Sequence, residues 1–471
     1  MNKKFYITTA IDYTDDVIHI GHIYQKIIAD VLARYHRLLG ETVFFLTGTD
    51  EHGGKVEKAA AAAGFAGKEK EFVDLIAQKD LEQQKSLNIS FNRFIRTTDE
   101  DHVKFSITFW QKIQNNGDIY SANYEGIYCD GCEAFLGKTD LVNNKCPYHP
   151  NKEPRLVKEK NYFFRWSKYS NFLKNHILTH PDFIWPESRK NEMLAFLDRG
   201  IQDIPISRPK IKWGIPVPND PNQTIYVWFD ALINYLSGVP KGFWPADIHV
   251  LGKDNTRWHA LLWPAMLKSA GYELPKTILV NGFITLNGQK ISKSLGNIIR
   301  PSELAEKFGA DASRYFLLRC KPVEADGDIS LEKIKEVYNA DLANGLGNLV
   351  ARVAKLCETS EFTLDPTSTG KLKIKRTVSK NLDKFNFGRA LEYIWKSDIK
   401  WGLKWLDQSI NEDKPWEIQN EELLNLKLHL YVENLLDIAF NLKPFLPETA
   451  EKIKKQFSGK IKFGSPLFPR I

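Results

Sequence analysis

Short apolar segments that each end in a polar or glycine-containing turn recur in two separate blocks of this 471-residue sequence. The first block runs from a β-branched and aromatic segment at 5–11, through a helical pattern that ends at Leu39, to a second apolar run at 43–46. The second block contains three such segments, at 225–229, 248–251 and 277–280. Strand, helix and strand in this order predict an α/β domain with a parallel sheet, whose ligands lie at the carboxyl ends of the strands. Because the two blocks are far apart, we predict that this domain is split.

The rest of the chain differs in character from these two blocks. Residues 116–205 hold a cysteine cluster, several prolines and many lysines, and we interpret them as an insertion with its own small core. From about residue 332 the apolar positions follow helical spacing, which predicts a helix bundle with a loop at 361–375. The predicted division is therefore a first half of the α/β domain, an insertion, a second half and a helical domain: 1–115, 116–205, 206–331 and 332–471.

The composition is that of an ordinary soluble globular protein, with 43% hydrophobic residues, 26% charged residues and a net charge of +7. No run reaches the roughly 18 apolar residues of a membrane-spanning helix. The N-terminus enters a strand-like segment directly, without the apolar core of a signal peptide. We therefore expect a cytoplasmic protein, and the positive charge permits a polyanionic partner without requiring one.

Three of the five cysteines lie close together, in the pattern Cys129-x2-Cys132, thirteen residues, and Cys146-x2-His149. Two chelating pairs of this kind offer three thiolates and one imidazole, the ligands of a closed tetrahedral zinc site. Because four protein ligands leave no position for water, we predict one structural Zn²⁺ that folds the insertion and takes no part in catalysis. The other two cysteines lie in apolar helical settings and are expected to be buried thiols: Cys320 and Cys357.

Two further motifs have the chemistry of a nucleotide site. The tetrad His19–His22 (HIGH) stands where a loop enters a helix, so its imidazoles face free N–H groups that favour a phosphate, and Gly21 allows close approach. The basic segment Lys290–Ser294 (KISKS) follows a strand and a turn, and its two lysines can neutralise the phosphates of ATP as pyrophosphate departs. Taken alone, the first motif is explained by surface histidines and the second by a solvated loop. Their occurrence together, in opposite halves of the split domain, favours a nucleotide site.

These paired motifs resemble the HIGH and KMSKS signatures of the class I aminoacyl-tRNA synthetases, and the sequence is similar specifically to the methionyl-tRNA synthetase family. The similarity covers essentially the whole chain and includes the segments 46–53, 226–232, 252–254, 263–267, 348–352, 415–416 and 446–450. The resemblance implies a Rossmann-type catalytic domain, a connective insertion with a zinc knuckle, a stem-contact segment after the lysine loop and an α-helical anticodon-binding domain.

The resemblance also implies an activity. L-Methionine is activated with Mg²⁺ and ATP to methionyl-adenylate and pyrophosphate, and the methionyl group then passes to the 3′-terminal adenosine of tRNA(Met). The implied catalytic residues are His19, His22, Lys290 and Lys293, and the implied ATP-binding residues are these four with Gly21, Gly252 and Asp254, of which Asp254 contacts the ribose. The implied methionine-binding residues are Asp50 for the amino group, Ile11, Trp228, Ala231, Leu232 and Tyr235 for the cavity, and Tyr13 and His259 near the sulfur. Arg208 is implied to position the lysine loop, and the residues implied to read the anticodon are Asn348, Arg352 and Trp416.

Several of these residues have simpler explanations when they are taken singly. Trp228 and Tyr235 on an apolar segment are typical of core, and Arg208 is compatible with a surface ion pair. Asn348 is compatible with a helix cap and Trp416 with core. Three positions depart from the family pattern, which leaves the shape and polarity of the amino-acid pocket open: Asp12, Ile204 and Asn255.

The insertion is too short for the editing domain of about 200 residues expected in a valine, leucine or isoleucine enzyme. Two alternatives remain. One is a cysteine-type class I enzyme, which would be expected to use its zinc in the substrate pocket. The other is a catalytically idle tRNA-binding paralogue, which would have no use for His19, His22, Asp50, Lys290 and Lys293 together. The helical domain is followed by no oligomerisation module in this sequence, so we expect a monomer.

Overall fold

The computed structural model describes residues 3–132, 134–136, 141–147, 149–291, 296–364, 372–396 and 401–471. The predicted catalytic residue Lys293 and part of the predicted loop at 361–375 lie outside these ranges. The chain divides into two compact units. Unit 1 consists of 1–18, 41–85 and 90–281, and unit 2 consists of 19–40, 86–89 and 282–471. Among the described residues, no helix combines the length and the apolar character that a membrane crossing needs.

The strands of the described residues are β1 (Lys4–Thr9), β2 (Asp12–Tyr13), β3 (Thr42–Asp50), β4 (Arg93–Arg96), β5 (Ile119–Cys129), β6 (Ala134–Leu136), β7 (Arg155–Phe164), β8 (Ile184–Trp185), β9 (Ile204–Pro205), β10 (Ser207–Arg208), β11 (Pro216–Val217), β12 (Asp220–Ile225), β13 (Ile248–Gly252), β14 (Thr277–Asn281), β15 (Ile284–Leu286), β16 (Gln289–Lys290) and β17 (Gly327–Ile329).

The α-helices of the described residues are α1 (Ile20–Leu38), α2 (Gly54–Ala62), α3 (Glu69–Ser86), α4 (Glu100–Asn115), α5 (Ser170–Thr179), α6 (Glu187–Asp198), α7 (Val227–Leu232), α8 (Asn234–Ser237), α9 (Trp263–Ala270), α10 (Pro301–Phe308), α11 (Ala310–Arg319), α12 (Leu331–Val337), α13 (Asn348–Thr359), α14 (Arg376–Leu382), α15 (Phe387–Lys396), α16 (Leu403–Asp413), α17 (Glu421–Leu442) and α18 (Pro447–Gln456). Shorter 3₁₀ segments occupy Trp166–Tyr169, Lys253–Asn255 and Pro415–Glu417, and π-helical segments occupy Trp258–Leu262 and Tyr338–Gly347.

Unit 1 is built on a parallel sheet with the strand order β2-β3-β1-β13-β14-β8, and β4 pairs with β3 as well. Strand β1 lies between one strand from each sequence block, since Ile7 is opposite Phe45 of β3 and Ile248 of β13. Almost every side chain of β1 is buried, as expected for a parallel strand that is covered on both faces. The predicted split α/β domain is therefore confirmed.

The sequence prediction was wrong for the apolar segment 225–229. Only Ile225 is a strand residue there, and its strand β12 belongs to a small antiparallel sheet with β10 and β11. The chain is extended at Tyr226 and then forms helix α7, with Asp230 in its first turn. A short run that is buried on every side carries no periodicity, so it fits a strand and a buried helix equally well.

The stretch predicted as an insertion is not a separate layer. Its strands β5, β6, β7 and β9 form an antiparallel sheet, but β8 pairs in parallel with β14 of the central sheet. Phe164 and Leu197 belong to the same hydrophobic core as Leu251 of β13. Among the described residues of this stretch, a separate small core consists of the buried Cys129, Leu136 and Cys146. Of the other two cysteines, Cys357 is buried as predicted, whereas Cys320 is half-buried because it follows the last residue of α11. Burial raises the pKa of their thiols, to about 11 for Cys320 and about 12 for Cys357.

Unit 2 contains α1, a small sheet of β15, β16 and β17, and the helices from α10 onward, which confirms the predicted helical C-terminal part. Inside it, the fully buried guanidinium of Arg314 lies 2.7 Å from the carboxylate of Asp30 on α1. Arg314 also donates to the carbonyls of Leu87, Pro444 and Phe445. One side chain therefore joins four segments of the unit.

Replacing Arg314 with alanine is expected to destabilise unit 2 by about 3–5 kcal/mol, because it removes a buried charge partner of Asp30, which also pairs with Arg34, and the donor to three carbonyls. The measurement is the urea midpoint of the helical circular dichroism signal. Arg470, whose exposed side chain donates to Asn344, is the control, and its alanine variant should change stability by about 0.5 kcal/mol or less. Equal midpoints for the two variants would contradict this account.

Candidate functional site

The two imidazoles of the HIGH tetrad form one compact unit at the start of α1. His19 is the residue before the first helical turn, and its Nδ1 accepts a hydrogen bond of 3.0 Å from the amide of Gly21. Nδ1 of His22 accepts a hydrogen bond of 3.2 Å from the amide of His19, and the two rings stack with 3.9 Å between their centroids. Since a backbone N–H can only donate, both Nδ1 atoms are acceptors, and a neutral ring must carry its proton on Nε2. Both histidines are thereby set up as Nε2–H donors at a helix N-terminus.

Glycine is required at position 21 by the packing of His19. A Cβ atom there would lie 2.8 Å from Cε1 and 3.0 Å from Nδ1 of His19. Both separations are shorter than van der Waals contact. The imidazole of His19 would therefore have to move and lose its hydrogen bond from the amide of residue 21. Gly21 therefore supports the geometry of His19 in addition to leaving space at the backbone.

The lysine loop is attached to the start of α1. Strands β15 and β16 form a hairpin whose two-residue turn, Asn287 and Gly288, has positive φ angles of 52° and 74°, as a type I′ turn requires. Lys290 is exposed at the end of this hairpin, and its carbonyl accepts a hydrogen bond of 3.0 Å from the Asn297 side chain. Beyond the loop, the carbonyl of Ile299 accepts a hydrogen bond of 3.1 Å from the first amide of α1, that of Ile20. The structure thus brings both flanks of the loop together and joins them to the HIGH helix, while Lys293 lies outside the described residues.

Asp328, which sequence analysis missed, holds the hairpin turn. Its Oδ1 accepts hydrogen bonds of 2.7 Å from the Gly288 amide and from the Thr285 hydroxyl. The Gly288 amide is the main cause of the lowered pKa of this carboxyl. Asp328 lies on β17, which pairs with β15, so the contact depends on tertiary structure and leaves no local signal.

The candidate methionine-binding residues lie in unit 1, and two of them are the last residues of strands β2 and β3. Tyr13 of β2 is opposite the buried Asp50 at the end of β3. The Tyr13 ring makes an edge contact with Trp228 of α7, at 6.2 Å between centroids. Trp228 stacks on Trp258 at 4.9 Å, and its Nε1 donates to the carbonyl of Cys132 at 3.2 Å. The same core includes Leu232 as a buried member, with Ile11 packed against it, and Ala231 is buried on the same helix.

Tyr235 and His259 are buried and hydrogen-bonded to each other, with 2.7 Å between Oη and Nε2. Burial lowers the pKa of His259 to about 4, so the ring is neutral at pH 7. Its Nδ1 lies 3.0 Å from the Asn255 carbonyl, which can only accept, so Nδ1 carries the proton and Nε2 accepts from Tyr235. Burial also raises the pKa of Tyr235, which keeps its hydroxyl protonated. This pair presents uncharged, polarizable groups, which suit a thioether.

The remaining candidate nucleotide-binding residues of unit 1, Arg208 and two of the positions that depart from the family pattern are located as follows. Gly252 ends β13, and Asp254 is exposed on the following 3₁₀ segment. Arg208 of β10 is buried, with its guanidinium 4.3 Å from the ring centroid of Tyr226, so it is not a surface ion pair. Asp12 is a buried residue of β2, and Ile204 is half-buried in β9.

The four predicted metal ligands are brought together. Their donor atoms all lie within 4.8 Å of one another, and Cys132 Sγ lies 3.4 Å from Cys146 Sγ and 3.3 Å from His149 Nδ1. In a tetrahedral zinc site with Zn–S bonds of about 2.3 Å, neighbouring ligand atoms are about 3.8 Å apart. The separations between the four donor atoms therefore fit a zinc ion. A Cβ on Gly131 would lie 2.4 Å from the His149 ring, which explains the glycine between the first two cysteines.

The three candidate anticodon residues lie in the helical part of unit 2. Asn348 is exposed at the start of α13 and continues directly from the π-helical segment, so it does not cap a free helix end. Arg352, one turn further, donates to Asp407 and, at 2.7 Å, to Asn411 of α16. Trp416 is 59% exposed and is therefore not a core residue. The two partners of Arg352 on α16 were not predicted, because the pairing joins separate helices.

A buried cluster beside α7 was also missed. Asp230 accepts from His52 at 2.6 Å and from His102 at 2.7 Å, and its side chain is fully buried. Burial alone would raise the pKa of Asp230, but the two histidines lower it to about 2. The carboxylate is therefore ionised at neutral pH.

Comparison with known proteins identifies the class to which this fold and these motifs belong. A family model described as "tRNA synthetases class I (M)" matches residues 5–155 and 139–354, so the chain is a member of the class I tRNA synthetases. It is 40% identical to the methionine–tRNA ligase of Caldanaerobacter subterraneus, over all of this chain and 79% of that protein. It is 38% identical to the methionine–tRNA ligase of Thermosynechococcus vestitus, over all of this chain and 93% of that protein. Within class I, the chain belongs to the methionine–tRNA ligase family.

Solved structures agree with this assignment. The crystal structure of Mycobacterium tuberculosis methionyl-tRNA synthetase bound by methionyl-adenylate matches with a TM-score of 0.90 and 36% identity, over 99% of this chain and 100% of that chain. The apo form of the Mycobacterium tuberculosis enzyme matches with a TM-score of 0.81 and 33% identity, over 100% of this chain and 99% of that chain.

Proposed function

We propose that this chain activates L-methionine with ATP to form methionyl-adenylate and pyrophosphate, and then transfers the methionyl group to the 3′-terminal adenosine of tRNA(Met). The observation that carries the proposal is the hydrogen bond between Ile20 and Ile299, which joins the segment that follows the lysine loop to the helix start where His19 and His22 are held as Nε2–H donors. Imidazole donors and the lysines of a neighbouring segment suit an anion that gains charge during reaction. The relatives described above are methionine–tRNA ligases.

The first step needs little covalent chemistry from the protein. The methionine carboxylate attacks the α-phosphate in line, the bond from that phosphate to the bridging oxygen breaks, and pyrophosphate leaves. In the proposed roles, His19 and His22 donate from Nε2 to phosphate oxygens, and Lys290 and Lys293 neutralise the departing pyrophosphate. Asp254 holds the ribose, with Gly21 and Gly252 leaving room for the nucleotide. Mg²⁺ that accompanies ATP supplies further neutralisation of phosphate charge.

The amino-acid side of the reaction falls to unit 1. Asp50 is proposed to bind the ammonium group, and the aromatic wall of Trp228 and Tyr13 to cover the side chain. The neutral Tyr235–His259 pair is proposed to face the sulfur, with Ile11, Ala231 and Leu232 completing the cavity. A cysteine-type enzyme that ligates substrate through zinc is disfavoured, because the metal cluster offers four protein donors and leaves no open position.

The direct test is exchange of labelled pyrophosphate into ATP with each of the twenty amino acids. We expect exchange that depends on methionine. Norleucine, which has a methylene group in place of the sulfur, is the control that shows whether the pocket selects by shape alone. Exchange that depends on cysteine would establish the cysteine-type alternative. Complete absence of exchange, together with binding of tRNA(Met), would establish an idle tRNA-binding paralogue.

The proposed anticodon role predicts a selective defect in Trp416→Ala. Stacking of a base on an aromatic side chain is worth about 1–3 kcal/mol, so the KM for tRNA(Met) is expected to rise about 5–150-fold. Methionine-dependent pyrophosphate exchange should stay unchanged, because it needs no tRNA. Trp401→Phe, at a buried tryptophan of the same helical part, is the control for stability. A rise in KM of the same size in both variants would contradict a contact with tRNA at Trp416.

The metal, the oligomeric state and the location complete the proposal. One structural Zn²⁺ per chain is proposed at Cys129, Cys132, Cys146 and His149, where it would fold the knuckle and stay outside the reaction. The protein is further proposed to act as a monomer in the cytoplasm, which light scattering after gel filtration and fluorescent tagging would test. The boundaries 115, 205 and 331 remain predictions of the sequence.

A further inference from the structure

We propose that Asp230 is a positioning residue for methionine: clamped between His52 and His102, its carboxylate fixes helix α7, and with it Trp228, relative to Asp50. This inference rests on the proposed function, because it assigns a task to a cluster that no step of the reaction uses. All of the residues concerned belong to unit 1.

The cluster joins the two elements that carry the candidate methionine contacts. Asp230 lies on α7, two residues after Trp228, and His52 follows β3, two residues after Asp50. The hydrogen bond of 2.6 Å between Asp230 Oδ2 and His52 Nδ1 therefore connects α7, which carries Trp228, to the end of β3, which carries Asp50. The distance between these two groups decides whether one amino acid can reach both.

The second histidine anchors the cluster to the scaffold. His102, on the sixteen-residue helix α4, is fully buried, and its Nε2 lies 2.7 Å from Asp230 Oδ1. Its Nδ1 lies 2.8 Å from the Ser237 hydroxyl on α8, the helix that follows α7. One imidazole thus holds two consecutive short helices against a longer one.

Helix α7 needs such an anchor because of its length. It has six residues and no side-chain hydrogen bond that caps its N-terminus. Isolated helices of that length are unstable, since nucleation is unfavourable and few hydrogen bonds follow it. Its position is consequently set by tertiary contacts, and Asp230 provides two directional ones from opposite sides of the carboxylate.

Stability alone is a poor explanation for a buried ion at this place. Replacing buried ionic groups by well-packed hydrophobic residues is often neutral or stabilising. Hydrogen bonds to two fixed donors, in contrast, define the position of the carboxylate in a way that apolar packing does not. The arrangement therefore supports a role of the cluster in aligning the methionine pocket, and not in stabilising the core.

The experiment is Asp230→Asn in the full chain, with steady-state pyrophosphate exchange and calorimetric titration of methionine in the absence of ATP. The amide keeps the shape of the carboxylate but presents an NH₂ group to one of the imidazole N–H groups. The Kd and the KM for methionine are expected to rise at least tenfold, whereas the KM for ATP should change less than twofold. His52→Gln, which removes one clamp only, is the second variant if Asp230→Asn does not fold, and should raise the methionine Kd severalfold.

A matched control is available in Asp118→Asn. Asp118 is also a buried carboxylate of unit 1, with Lys168 Nζ at 2.6 Å, Tyr169 Oη at 2.5 Å and Ser269 Oγ at 2.7 Å, but none of these partners belongs to α7 or β3. This variant should lower the melting temperature without changing the methionine Kd. Unchanged methionine Kd in the Asp230 or His52 variant, with a melting temperature lowered as in the control, would show a purely structural cluster. If the wild-type chain itself binds no methionine, the proposed function fails instead.

Discussion

Replacing His22 with alanine is expected to slow methionyl-adenylate formation about 10²–10³-fold, the usual cost of removing one donor to transition-state charge. His22 is exposed, so the variant should fold normally. Its proposed contribution is the Nε2–H, which a neutral ring must carry because Nδ1 accepts a hydrogen bond from the His19 amide. Since the donor acts on charge that develops during reaction, the Kd of methionine should stay within about twofold of the wild-type value.

Two substitutions at the same position separate the two imidazole nitrogens. His22→Gln places an amide near the position of Nε2 and should keep part of the rate. His22→Asn reaches only the position of Nδ1 and should behave like alanine. His36→Ala, at the other end of the same helix, is the control and should exchange pyrophosphate at the wild-type rate. Equal rates for the glutamine and alanine variants would contradict the assignment of Nε2, and a rate for alanine within threefold of wild type would remove His22 from the chemistry.

Replacing Cys146 with serine is expected to abolish stoichiometric zinc binding and to unfold the knuckle around it. Structural zinc sites contribute about 10–16 kcal/mol of apparent binding free energy in small zinc modules, which the local fold here cannot replace. The independent core at this place consists of three buried residues, of which two are ligands, so little apolar packing remains without the metal. Metal analysis and hydrogen–deuterium exchange of peptides spanning 119–164 are the measurements.

The matching control for Cys146→Ser is Cys357→Ser. Both thiols are buried, but Cys357 lies on α13 of unit 2 and is not one of the four candidate metal ligands. The control should retain one zinc per chain and wild-type exchange protection at 119–164. Retention of zinc by the Cys146 variant, or unchanged protection after its loss, would overturn the structural role of the metal.

The main architecture was predictable because it depends on local patterns. Strands β1, β3, β13 and β14 are buried runs that end in polar turns, and the spacing of the three cysteines and His149 predicted directly which side chains come together. Strands β2 and β8 have two residues each, too few to show a period, and they were not predicted. The helix at Val227–Leu232 was taken for strand because full burial removes the periodicity that separates the two.

The supporting residues of the site were not predictable for a different reason. His52 and Asp230 are 178 positions apart in the chain, and Arg352 and Asn411 are 59 apart. A single sequence contains no signal that pairs such residues, because either partner alone is compatible with many environments. The motifs therefore predict which groups take part in the chemistry, whereas the contacts that hold these groups are visible only in the three-dimensional structure.

The acceptor for the His259 Nδ1 proton is the main-chain carbonyl of Asn255. A carbonyl is present whatever side chain stands at position 255, so substitutions there can reshape the neighbouring space without changing the tautomer of the imidazole. The main chain, and not the side chain at position 255, therefore sets which nitrogen of His259 carries the proton.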